Sequence, residues 1–168
     1  MSFGGGSVTW PWIDGKVGVM PTPSGTTFQD GTGYLLAMAG AAARRQWVEM
    51  LARFDVTPSQ FKVVMSLGEV DSLGQRQLAD LIDIDPRNCV PIVDALVQRG
   101  LVSRETDGTD RRRRVLRLSR TGRRLAEDLA AVNVQLEARL MSPLGPTEQS
   151  ALHRMLVALL DATEAEAV

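Results

Sequence analysis

The chain has 168 residues, 44% of them hydrophobic, enough for one compact domain with a core and too few for two independent ones. No run reaches the roughly 18 apolar residues of a membrane span, and the N-terminus lacks the basic-then-apolar layout of a secretory signal, so a soluble, cytoplasmic protein with no membrane contact is expected. One cysteine, Cys89, and one histidine, His153, exclude an internal disulfide and the usual zinc sites. With no convergent nucleophile, base and orienting group, the chain reads as a non-enzyme without metal or cofactor.

The formal net charge of -1 hides a segregation along the chain. From Arg99 to Arg124 ten arginines stand against three acids, whereas from Leu125 to Val168 two arginines stand against seven acids. A local field of the first sign attracts a polyanion even when the whole molecule is near neutral.

Residues 1–30 are rich in Gly, Ser, Thr and Pro and show no period, so they read as an irregular arm, with Trp10 and Trp12 around Pro11 expected to dock in part. From Thr32 to Phe54 the apolar positions Leu35, Leu36, Ala39, Ala43, Trp47, Met50 and Leu51 recur near the 3.6 period of a long amphipathic helix. Thr57, Pro58 and Gln60 then form a helix-start signature of cap, first-position proline and capping-box partner. Phe61, Val64, Met65 and Leu67 supply the buried side of this second helix, which ends within Gly68 to Gly74.

A short third helix over Gln75 to Ile82 buries Leu78, Ala79 and Ile82. Asp85 and Pro86 open a fourth, and the tight connection at Asp83 to Asp85 makes the pair a helix-turn-helix. Cys89, Ile92, Val93 and Leu96 share one face of the fourth helix, with Arg87, Asn88, Pro91, Asp94 and Ala95 opposite. Pro91 lacks the amide of a helical hydrogen bond and crowds the Arg87 carbonyl, so a kinked or tightened helix is expected there.

Gly100 stops that helix. Leu101 to Thr106 and Arg112 to Ser119 read as two strands joined through Asp107-Gly108-Thr109-Asp110, a two-stranded wing. Ser119 caps a long helix to about Leu140 with the stripe Leu125, Leu129, Val132, Leu136 and Leu140. Pro143 to Pro146 break it, and a last helix carries Leu152, Met155, Leu156, Leu159 and Leu160. The fold class is mainly α with a small β-wing: a winged helix-turn-helix module over 57–119 inside a single domain, 31–168, with helical segments at 31–56 and 120–168.

Several segments fall in one register: Gly33-Tyr34-Leu35-Leu36, Leu78-Ala79-Asp80, Val93-Asp94-Ala95-Leu96, Arg99-Gly100-Leu101-Val102, Asp110-Arg111-Arg112 and Leu118-Ser119-Arg120-Thr121-Gly122. Together, over roughly Gly33 to Glu164, the chain resembles the MarR family of bacterial winged helix-turn-helix transcription regulators. The resemblance implies a homodimer joined through 31–56 and 120–168, acting on double-stranded DNA at a pseudo-palindromic operator, with repressor the expected sense and release by a small aromatic or anionic effector. Broad apolar faces at both chain ends independently call for partners.

On that reading the fourth helix enters the major groove, with Arg87 suited to guanine and Asn88 to adenine, and with Pro91 setting their direction. Asp94 is a poor neighbour for phosphate unless an arginine neutralises it. By resemblance Asp110 and Arg112 are the wing-tip acid and the minor-groove arginine. Arg111, Arg113, Arg114 and Arg117 are then phosphate contacts or sources of field, and Gln75 and Arg76 are backbone contacts. Arg44, Trp47, Phe61 and Met65 are the effector-pocket candidates. Buried Cys89 is expected to pack rather than react, and His153 to lie at a surface or interface. A winged helix that binds protein or RNA is the alternative reading of the same residues.

Overall fold

The computed structural model describes residues 27–106 and 114–166. The chain divides at Arg44 into two units. In the first, a single 3-10 turn, Phe28–Asp30, is closed by Asp30 accepting from the Thr27 amide at 2.8 Å, and Phe28 meets Tyr34 edge to face. Helix α1 (Thr32–Ala52) begins here, and its Leu35, Leu36 and Met38 are exposed.

In the second unit the last turns of α1 lead into α2 (Pro58–Glu69), α3 (Gln75–Leu81), α4 (Pro86–Gln98), strands β1 (Val102–Thr106) and β2 (Arg114–Leu118), then α5 (Arg120–Met141) and α6 (Pro146–Glu166). The expected helix starts are made by the expected groups. Thr57 Oγ1 accepts from the Gln60 amide at 3.2 Å while Gln60 Oε1 accepts from the Thr57 amide at 3.0 Å. Asp85 Oδ1 accepts from the Arg87 amide at 2.7 Å, with Pro86 opening α4. Each side chain satisfies an amide that the first helical turn leaves unpaired. Helix α4 runs unbroken through Pro91. The proline lies on the exposed side, where water can serve the carbonyl that it cannot.

Leu51, Val63, Val64, Leu78, Cys89, Val93, Leu96 and Leu129 are closed to solvent and form the centre of the core. At about 1.5–3 kcal/mol for each large aliphatic side chain, these few residues supply much of the unit's stability. Val63 is as deeply buried as Val64, whereas Phe61 and Met65, on the buried side as expected, are half-buried at the core's margin. Burial also pushes the Cys89 thiol up from its ordinary pKa by desolvating the thiolate.

The strands pair antiparallel, Val102 opposite Leu118 through Thr106 opposite Arg114. Leu116 also exchanges two backbone hydrogen bonds with Leu73, at 2.8 and 3.2 Å, so β2 is held between β1 and the residue pair that precedes α3. Leu116 and Leu118 enter the core from one face, and Val115 is buried on the other.

Helix α4 ends in a left-handed Gly100, φ +66°. The Gly100 amide bonds the Val97 carbonyl and the Leu101 amide bonds the Leu96 carbonyl, both at 2.9 Å, the two bonds of a Schellman ending. The same turn receives the start of α5. The Ser119 amide donates to the Leu101 carbonyl at 2.9 Å, the Ser119 hydroxyl donates to the Gly100 carbonyl at 2.7 Å, and Ser119 Oγ accepts from the Gly122 amide at 2.9 Å. A Cβ on Gly122 would run into the Leu101 carbonyl. This close approach explains the glycine, since its conformation alone does not require one.

Gly122→Ala is therefore expected to lower stability by about 1–3 kcal/mol or more through overpacking against backbone, read as a fall in the urea midpoint. Cys89 predicts a pH dependence. Its folded pKa is raised, so its contribution is intact below the ordinary thiol pKa and is lost as pH rises through the higher folded value. The stability difference between the native chain and Cys89→Ala should narrow above about pH 9, measured as urea midpoints across pH.

Candidate nucleic-acid interface

The helix-turn-helix is α3 and α4, joined through Ile82 to Asp85. Asp83 at φ +52° takes the bend, and Lys62 Nζ donates to the Ile82 carbonyl at 3.2 Å, tying the turn to α2. With Cys89, Val93 and Leu96 buried, the opposite side of α4 must face outward: Arg87, Asn88, Val90 and Pro91 are exposed there.

Asp94 lies on that outward side and pairs with Arg104 of β1. The pair joins the wing base to α4 and offsets the one carboxylate on that stretch of surface. Both side chains are about two-fifths exposed, so its value lies in charge placement more than in stability.

Arg117 is also committed. Its Nε lies 3.3 Å from Glu105 Oε2 and its Nη1 donates to the Asp71 carbonyl at 3.2 Å, while Ser103 holds the other Glu105 oxygen at 2.8 Å. Expected as a phosphate contact or source of field, Arg117 instead braces the wing on the loop before α3. Arg99 donates to the carbonyls of Phe54 and Asp55 and sits 3.6 Å from the Asp55 carboxylate. Arg123 donates to the Leu118 carbonyl at 2.9 Å. Much of the arginine-rich segment thus serves the fold, through partners more than forty residues away for Arg99 and Arg117. Spacing along the chain offered no signal for them.

Arg87 and Arg114 are exposed and hold no ion pair among the described residues. Arg114 lies at the far end of the hairpin, opposite Thr106. The expected wing-tip residues Asp110, Arg111, Arg112 and Arg113 lie outside the described residues, as does the arm over 1–26 with Trp10 and Trp12. Gln75 is half-buried and Arg76 exposed at the start of α3. The Gly74 amide beside them is already taken by Gln77 Oε1 at 3.0 Å, so fewer free amides are available for phosphate than the bare sequence suggests.

Trp47 and Phe61 meet edge to face, 5.3 Å apart at 86°, and both pack on the core with Met65. Their ring faces and edges serve each other. Arg44 is exposed on α1, and His153 is exposed on α6. Among the described residues no group of His, Cys, Asp and Glu is arranged to hold a metal ion, and no helix is long and apolar enough to cross a membrane.

Two short helices and a braced hairpin on one core define a winged helix-turn-helix protein. Residues 56–113 match the MarR family model, so this segment carries a MarR-family domain. A candidate transcriptional regulatory protein for the hcr operon of Thauera aromatica is 32% identical over 91 residues, 54% of this chain; the chain spans only about half, 55%, of that relative. Among solved structures, the PcaV transcriptional regulator of Streptomyces coelicolor is 26% identical with a TM-score of 0.68, the match covering 80% of this chain and 98% of that one. Wild-type MarR of E. coli in its apo form is likewise 26% identical, TM-score 0.64, covering 77% and 97%.

In a double-mutant cycle on stability, Asp94→Ala and Arg104→Ala should couple by no more than about 1 kcal/mol, and less in high salt. A larger, salt-insensitive coupling would mean that the pair is structural rather than electrostatic.

Proposed function

We propose that the chain is a homodimeric regulator that binds double-stranded DNA in a sequence-specific way at a pseudo-palindromic operator, acting as a repressor. The observation that carries this reading is the outward side of α4, where Arg87 and Asn88 stand exposed at the leading end and the one acid behind them, Asp94, is neutralised by Arg104. A guanidinium and an amide are the groups best matched to guanine and adenine edges in the major groove.

Asp110 and Arg112 are assigned to the wing tip, with the arginine in the minor groove. Arg111, Arg113 and Arg114 are assigned to phosphates, and Gln75 and Arg76 to the backbone nearer α3. Homodimerisation through 31–56 and 120–168 is supported by the apolar side chains that a single chain leaves in water. On α6, Met155, Leu159 and Leu160 are each more than half exposed, and Val134 of α5 is 64% exposed. A twofold dimer would cover such faces and set two readers about one turn of DNA apart. Release by a small aromatic or anionic effector near Trp47, Phe61 and Met65 completes the proposal. No catalytic role is assigned.

The test is a gel shift on the chain's own promoter DNA against the same sequence as RNA, over a range of salt. Steeply salt-dependent binding to the duplex, weakened with a shallower salt slope in Arg112→Ala, is expected. Equal binding to RNA, or binding indifferent to Arg112, would overturn the assignment.

A further inference from the structure

Helix α4 has a second property that hydrogen-bonding side chains do not explain. Between Asn88 and Gln98 its residues are Cys89, Val90, Pro91, Ile92, Val93, Asp94, Ala95, Leu96 and Val97. Asp94 is the one polar side chain in this stretch, and Arg104 occupies it. For two turns beyond Asn88, therefore, the outward surface carries no hydrogen-bonding side chain other than Asp94, which is already engaged by Arg104. What it does present is aliphatic: Pro91 lies near the middle of the stripe formed by Arg87, Pro91 and Asp94, and Val90, at its flank, is 40% exposed.

We infer that Val90 and Pro91 form a thymine-reading surface, recognising the C5-methyl groups of thymine in the major groove. The inference rests on the reading of α4 as the major-groove helix. In that groove guanine, adenine and cytosine present acceptors and donors, whereas thymine alone adds an apolar group. Setting an aliphatic side chain against a polar base edge removes water from that edge and returns no hydrogen bond. The same side chain against a methyl group removes two apolar surfaces from water at once. The surface therefore favours thymine and disfavours the other bases.

Both residues suit the task. Proline has no rotamers to freeze, and a β-branched valine on a helix holds one. The position follows from helix geometry. Val90 and Pro91 lie three or four residues beyond Arg87, about 5 Å along the axis at 1.5 Å per residue. With base pairs about 3.4 Å apart, the recognised thymine falls one or two base pairs from the base that Arg87 contacts.

The test begins with duplexes selected from a random pool by the full chain. In the selected sequence each thymine is replaced singly by deoxyuridine, which removes only the methyl group. At one thymine per half-site, beside the Arg87-dependent base, affinity should fall about fourfold, the value of one buried methyl group. That loss should shrink toward none in Val90→Ala or Pro91→Ala, while thymine elsewhere stays indifferent. Val90→Thr, which keeps the shape and one methyl, should retain most of it. Both positions are exposed, so the variants are expected to fold, and thermal melting checks it.

If duplex is selected but no uracil substitution matters, or if the loss persists in both alanine variants, methyl reading is overturned while DNA binding stands. If the variants weaken thymine and uracil duplexes equally, the surface acts by packing and the inference also fails. Failure to select any duplex would overturn the underlying reading of α4 instead.

Discussion

The structure turns on the Leu101 carbonyl. It accepts the Ser119 amide at the point where α4 has just ended and α5 is about to begin, and Gly122 lets α5 come down onto it without a side chain between. Three elements meet there: α4 through the Schellman turn at Gly100, the wing through β1 and β2, and α5 through its cap. Helix ends leave unpaired carbonyls and amides, and here the end of one helix and the start of another satisfy each other through Gly100, Leu101 and Ser119. Neither α4 nor the wing can tilt far without breaking bonds at the root of α5. If α5 belongs to a dimer interface, movement in that interface has a short, stiff route to both.

Bracing by arginine extends the same theme. Arg99 and Arg117 put their guanidinium groups on backbone carbonyls at Phe54, Asp55 and Asp71, and Arg104 binds Asp94 of α4. A planar fork of donors is well suited to such carbonyl clusters. The basic segment is thus two populations on one stretch of chain. One is spent on holding the wing module together, and the other, to which Arg114 belongs among the described residues, holds no ion pair. Counting charge along the sequence measures their sum, which overstates the field that reaches a partner.

Local signals made most of the fold legible. The caps at Thr57 and Asp85, the prolines after them and the glycine after α4 act within one turn, so a few adjacent residues contain the whole interaction. The buried face of α4 was likewise legible from its period. Long-range closure was not. Val63 and Val115 are buried because a second surface covers them, and Gly122 is a glycine because Leu101 comes close; neither neighbour is near in sequence. At the site, Arg87, Asn88 and the difficulty of an unpaired Asp94 could be read from residue chemistry. The partner that resolves the difficulty, Arg104, needed the hairpin to fold back onto α4. Arg117 misled for the same reason, since alternation along a strand gives its side but not the glutamate waiting there.

The small sheet also bears on which associations the molecule avoids. Leu73 occupies one edge of β2 at Leu116, leaving β1 as the edge strand, five residues long, with Arg104 and Glu105 exposed along it. Unpaired strand edges are templates for another chain's backbone, and short, charged edges are poor ones. Because those two charges are held by Asp94 and Arg117, an incoming strand would have to approach an edge whose side chains are already fixed in place. Strand-to-strand aggregation is thereby discouraged.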